Sequence, residues 1–319
     1  MPSKRTIISR ELRRGEYSAL RGWFSIDPAE QTRATWAKHI ASYDAVPQAY
    51  QDFFARFAGE KAFPYTILMP SYSGFIHSAA EKLICLVGHE FYILEEDGPT
   101  YQTYCYPLAD IYYLETHSVL LDSYVTLRGK TKSGEIADVA MRFNSVGDVM
   151  MAPILEKIRR IACGLGEIGQ DDAEPTSRTH SETHAFDAWE HSNYKFMNYA
   201  RRSLLEGENV VHAILHPEIR EKVITVLGKS FYRMIAPTQA LIRTDYELIV
   251  IGEGKGKRQS GYSKYGGTWN YIPLNKIVTS FLTEVENDLA TLSIQLPGET
   301  SLNYTFEASA VPEIQALLP

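Results

Sequence analysis

The stretch YIPLNKI, Tyr271 to Ile277, closes a hydrophobic run on a proline, and YPLADI, Tyr106 to Ile111, does the same earlier in the chain. Proline has no N–H to give to a β-ladder, so it is confined to strand ends, edges and bulges. In each copy a leucine and an isoleucine follow three residues apart: Leu108 and Ile111, then Leu274 and Ile277. A flat strand, with its period of two, would send such a pair to opposite faces. A bend or bulge after the proline lets both enter one core. A sheet that bends so sharply can wrap around that core, with a helix over the open end.

The flanking sequence repeats in the same order. EKLICLVGHEFYILEE and TQALIRTDYELIVIGE each read as two short apolar strands joined at a polar turn. The Pro-Leu strand follows, and then a hairpin with Gly-Glu at its turn, Ser133-Gly134-Glu135 in one half and Pro297-Gly298-Glu299-Thr300 in the other. IADVAMRF alternates, with Ala137, Val139, Met141 and Phe143 on one side. Leu292, Ile294 and Leu296 do likewise, joined by Leu302, Tyr304 and Phe306 from the partner strand. Each half ends in a helical pattern with a proline at its start, Pro153 and Pro312. The shared order indicates duplication of a whole domain.

The chain has 319 residues, 45% apolar and 22% charged, enough for two cored domains. With 32 basic and 39 acidic side chains the net charge is −7, which argues against a nucleic-acid coat. No apolar run approaches the ~20 residues that span a bilayer. Cys85, Cys105 and Cys163 have no CxxC spacing and cannot all pair, so reduced thiols in a cytoplasmic protein are expected.

The pattern resembles the bacterial pleckstrin-homology-like domains, a family related in shape to GRAM domains. LLEGENVVHAIL, QALIRTDYELIVI, YIPLNKI, TLSIQLPGETSLNYTF and a closing helix carry the resemblance over Ser203 to Leu318, and Phe63 to Ala162 carries it more weakly. It implies an α+β fold of two pleckstrin-homology-like domains, each a bent antiparallel sandwich or barrel capped by a C-terminal helix. It also implies binding or scaffolding rather than catalysis. The expected layout is a helical segment over 1–62, a first domain over 63–163, a polar linker over 164–185, and a linker helix with the second domain over 186–319. In the first segment Asp27 caps a helix opened by Pro28, with Trp36, Ile40 and Tyr43, then Tyr50, Phe53, Phe54 and Phe57, at helical spacing and Pro47 as a break.

Several constellations are candidate sites. The loop GEGKGKRQSGYSKYGG places Lys255, Lys257, Arg258 and Lys264 with Tyr262 and Tyr265 on a glycine-rich segment. Cations and free backbone N–H groups both favour a phosphate, an anionic headgroup or an acidic peptide, although charge-rich loops also serve as plain soluble surface. It is no P-loop, since GxxxxGK[ST] is missing and a strand follows. His180, His184, Asp187 and His191 share one face if helical, a weak pattern for zinc against a solvent-facing polar stripe. The basic N-terminus, Lys4 to Arg14, reads as an anionic-surface contact or a frayed end. No nucleophile elbow or paired carboxylate repeats. The expectation is a non-enzymatic protein without cofactor or metal that engages a protein or peptide. An anionic membrane surface and an enzyme site between the domains are the alternatives. Nucleic acid and small-molecule substrates are not expected.

Overall fold

The computed structural model describes residues 36–57, 63–73, 78–98, 100–120, 122–166, 184–227, 229–255, 262–285 and 288–318. The chain is α+β, with open, antiparallel sheets and few helices. Strands β1 (Lys38–Ile40), β2 (Tyr65–Met69), β5 (Lys82–Val87), β6 (Glu90–Asp97) and β7 (Thr100–Pro107) form one sheet in that order. The small hairpin β3 (Tyr72–Ser73) with β4 (Ser78–Ala79) interrupts it. Next come β8 (Ile111–Val119), β9 (Asp122–Lys130) and β10 (Ile136–Phe143).

The second half runs through β11 (Val210–His216), β12 (Ile219–Val226), β13 (Lys229–Ala236), β14 (Gln239–Thr244), β15 (Glu247–Lys255) and β16 (Tyr262–Pro273). It finishes with β17 (Thr279–Val285), β18 (Leu289–Leu296) and β19 (Thr300–Glu307) as a three-stranded sheet. The α-helices are α1 (Gln51–Ala55), α2 (Asp148–Ala162), α3 (Glu190–Ser203) and α4 (Val311–Leu317); Pro312 opens α4 as expected, whereas Pro153 lies inside α2, which starts earlier, at Asp148.

The bend after each proline is a single 3-10 turn. Pro107 and Pro273 are the last residues of β7 and β16, and the turns Leu108–Asp110 and Leu274–Lys276 follow them. The Leu108 N–H donates to the His89 carbonyl at 2.9 Å, and the Leu274 N–H to that of Tyr246 at 2.9 Å. Leu108 and Ile111 therefore enter one core together with Leu114, Leu127, Met141 and α2. Leu274 and Ile277 pack against the other, formed by Leu241, Leu292, Ile294, Phe306 and α4. Each core lies between a strand set before its proline and a strand set after it, a sandwich-type arrangement with a helix at one end. The expected alternation holds in β10, where Val139, Met141 and Phe143 are buried, and in β18, where Leu292, Ile294 and Leu296 are.

The two halves share a sheet. Strand β8 pairs antiparallel with β16, Leu114 opposite Tyr271 and Ser118 opposite Gly267. The result is one seven-stranded sheet in the order β10-β9-β8-β16-β15-β14-β11. Gly266, at φ +96, is required here: a Cβ would stand 2.1 Å from the Ser118 carbonyl oxygen. The two Pro-Leu turns meet at the same junction, where the Lys276 ammonium donates to the Ala109 carbonyl at 2.7 Å.

The N-terminal region departs from expectation. The helix read across Trp36–Tyr43 does not form; Lys38–Ile40 is a strand on the edge of β2. His39 and the β-branched Ile40 satisfy an open edge there, which outweighs a weak helical period. Among the described residues of this region, helical structure is confined to two 3-10 turns, Tyr43–Ala45 and Gln48–Tyr50, and the short α1. Residues 1–35, with the Asp27–Pro28 start and the basic terminus, lie outside the described residues. The second linker segment divides similarly: Phe186 and Trp189 sit in a 3-10 stretch, and Asn193 (φ −159) breaks the helix before Phe196.

Candidate functional site at the junction of the halves

A cleft of about 680 Å³ opens over the shared sheet, beside the β8–β16 ladder. Strand alternation puts Thr116 on β8, Val125 on β9, and Trp269 and Tyr271 on β16 on a common face, because Thr116 pairs with both Val125 and Trp269. Met151, Ala152, Leu155 and Arg159 of α2 line one side, and Tyr199 and Arg202 of α3 with Leu204 and Leu205 the other. The Tyr199 and Trp269 rings lie 4.9 Å apart. Gly267 leaves them room, since a Cβ there would meet both at 3.0–3.1 Å.

Arg159, which lines the cleft, is buried with 8% of its surface exposed. Its guanidinium pairs with the Glu247 carboxylate, donates to the Ser203 carbonyl at 2.7 Å, and stands 3.8 Å above the Tyr271 ring. Glu208 is 3.9 Å from the same guanidinium and accepts from the Leu205 N–H at 2.8 Å and from the Thr244 hydroxyl. Burial would pull the Arg159 pKa down, but Glu247 overbalances it and holds it above the usual range. For Glu208 burial comes first and the Glu247 charge adds to it, so its carboxyl is pushed up to about 8. The cluster joins α2 of the first half to α3, β15 and β16 of the second.

Several other polar groups along the cleft engage one another. The Ser118 hydroxyl donates to Asp148 at 3.1 Å, and the Ser123 hydroxyl to that of Ser118 at 3.0 Å. Burial pushes Asp148 up against the pull of these hydroxyls. His117, stacked on Tyr124 with centroids 4.6 Å apart, shares a 2.9 Å hydrogen bond between Nδ1 and the Thr268 hydroxyl, and burial holds its pKa low. A hydrogen-bonded floor under aromatic and aliphatic walls suits capture of an apolar side chain or ring.

The sequence-predicted loop leaves from the neighbouring strand pair, β15–β16, which shares β16 with the cleft. Lys255 ends β15 opposite Tyr262, and Tyr262, Lys264 and Tyr265 open β16. Lys257 and Arg258 lie outside the described residues. Tyr262 precedes Gly266, a cleft residue, by four positions along β16, roughly 13 Å of strand at ~3.3 Å per residue. The histidine face is not assembled as a metal set. His184 shares a 2.7 Å contact with Asp187, and Asp187 also accepts from Arg201 at 2.6 Å. His191 is exposed, His180 lies outside the described residues, and no group of metal-ligating side chains occurs among the described residues. Cys85 is buried and pushed up to about 12 by that burial. The cysteines are free thiols.

Sequence reading missed Trp269, Tyr271, Thr116, Tyr199 and Arg159 as neighbours. Only Arg159 left a signal, a cation beside the buried stripe Ile154, Ile158 and Ile161. No family model matches the chain, and no curated protein does. No helix among the described residues is long and apolar enough to cross a membrane.

Proposed function

We propose that this chain is a non-enzymatic cytoplasmic binding or scaffold protein. It is built of two pleckstrin-homology-like modules and engages a protein or peptide partner. The observation that carries the reading is the aromatic cleft at the junction of the halves. Trp269, Tyr199 and Tyr271 receive an apolar side chain there, and the Lys255–Tyr265 loop, which leads into the same strand β16, meets acidic residues of the partner. The repeated order of strands, 3-10 turn, strands and helix supports the module assignment.

The test is affinity capture followed by mass spectrometry with three baits: the native chain, Ala152→Trp, and the triple variant Lys255→Ala/Lys257→Ala/Arg258→Ala. Ala152 is exposed at the cleft, so tryptophan fills the space without entering a core. The expected result is one partner set retained by the native chain, lost from the filled cleft and weakened in the triple variant. An identical set on all three baits overturns the reading.

A further inference from the structure

The β12–β13 hairpin carries exposed apolar side chains with no partner in the described fold. Its base is anchored, with Ile219 and Ala236 buried. Towards the turn Val223 (62% exposed), Ile224, Val226, Leu227 (98%), Phe231 (54%) and Tyr232 (59%) all face solvent. Leu227 also has φ +49, a left-handed turn conformation that glycine, asparagine or aspartate adopts at lower cost. A strained, fully exposed leucine contributes nothing to the fold that a polar turn residue would not.

The distribution of these side chains selects the environment they fit. Phe231 and Tyr232 are consecutive and point to opposite faces of the ribbon; Ile224, opposite Phe231, shares the Phe231 face, and the register shifts at Val223. A groove on a protein would bury one face; a lipid interface surrounds both. Charge points the same way. From Lys222 to Tyr232 the ribbon holds Lys222 and Lys229 and no acidic residue, in a chain of net charge −7. The ion pairs Arg220–Glu218 and Arg233–Glu221 begin only behind this end. From Val223 to the turn the apolar end is roughly 14 Å long at ~3.4 Å per residue. That reach suits the headgroup and upper acyl region, where apolar faces sink ~5–10 Å. The open edges of a two-stranded ribbon keep it out of the hydrocarbon centre.

We propose that the β12–β13 ribbon is a docking arm for an anionic lipid bilayer: Val223, Ile224, Val226, Leu227 and Phe231 enter the interface, Tyr232 lies at headgroup level, and Lys222 and Lys229 meet lipid phosphates. The arm is separate from the Lys255–Tyr265 loop and acts whether or not the cleft holds a peptide.

The experiment is co-sedimentation of the full chain with phosphatidylcholine vesicles, with and without about 30 mol% phosphatidylglycerol. The native chain is expected to pellet with the anionic vesicles at low salt, to release at high salt, and to stay in solution with phosphatidylcholine alone. Leu227→Asp/Phe231→Ser and Lys222→Gln/Lys229→Gln should each lower partitioning at least ten-fold, with melting temperature and near-UV dichroism unchanged because all four positions are exposed. In a second measurement, Leu227→Trp should gain blue-shifted emission on addition of anionic vesicles only. Failure of the native chain to pellet at low salt, equal pelleting by the ribbon variants, or equal binding to neutral vesicles would overturn the proposal. The first outcome would point to a protein partner for the ribbon.

Discussion

In the first half Tyr50, Phe53 and Phe54 cover Leu83, Cys85, Tyr92 and Leu94; in the second Phe186, Trp189 and Phe196 cover Ala240, Ile242, Ile249 and Ile251. Each strand set before a proline thus carries a helical segment on its outer face. The N-terminal segment is the counterpart of the linker helix. Where the second face is smaller, with Ala240 in the place of Leu83, Trp189 supplies the volume. The halves diverge instead in how equivalent charges are used. Glu90 and Glu247 occupy the same register position, opposite Pro107 and Pro273. Glu90 stays near the surface, paired with Lys132 and hydrogen-bonded by the Tyr92 hydroxyl. Glu247 is enclosed and paired with Arg159, which comes from the helix of the other half. One carboxylate position serves a local contact in the first half and a clamp between the halves in the second.

Arg159→Ala tests that contrast most severely. It strands Glu247 in a dry site, and the expected loss is about 3–5 kcal/mol of unfolding free energy by urea titration. A loss within error of a surface substitution would remove the clamp. The matched core deletions Leu127→Ala and Leu292→Ala should each cost about 2–5 kcal/mol, since both leucines are fully buried at equivalent depth. If the two halves unfold as one unit, both shift a single transition; two separate transitions would contradict the shared sheet.

A smaller effect concerns pH. The Glu208 carboxyl is raised in the folded chain, so the folded state binds its proton more tightly than the unfolded state does. The stability it contributes is complete below its unfolded pKa, near 4.5, and is lost as pH rises towards about 8. His117, held low by burial, contributes in the opposite sense, its share being lost as pH falls below its unfolded value near 6.5. The informative quantity is therefore the difference between native chain and Glu208→Gln. The melting temperature of the variant relative to native should rise between pH 5 and pH 8, and a constant difference would refute the shift. Lys132→Ala, which removes the exposed partner of Glu90, should leave the denaturation midpoint unmoved, because a solvated pair is screened.

The bent sheets were legible because two constraints coincide at each turn: a proline without a donor, and a Leu–Ile pair that only a bend can bury together. The hairpins of the cores were legible through alternation, as in β10. Strands β12 and β13 were not, because with both faces in water nothing enforces a period of two. Strand β1 escaped because three residues on a sheet edge carry less signal than a run of aromatics. The cleft was invisible for a further reason: Thr116 and Trp269 become neighbours only through the β8–β16 ladder, and a ladder between halves needs backbone alone. The loop cations were legible as charge, and it is the fold that sets Lys255 and Tyr262 at the end of β15–β16, the pair that shares β16 with the cleft.

The β8–β16 ladder also governs what happens to a severed polypeptide. Protease cleavage anywhere between 167 and 183 would break the covalent connection and leave untouched the five backbone pairs from Gly267–Ser118 to Tyr271–Leu114, with Arg159 still locked on Glu247. The fragments would co-elute as a non-covalent heterodimer, and separately expressed pieces should reconstitute it by complementation.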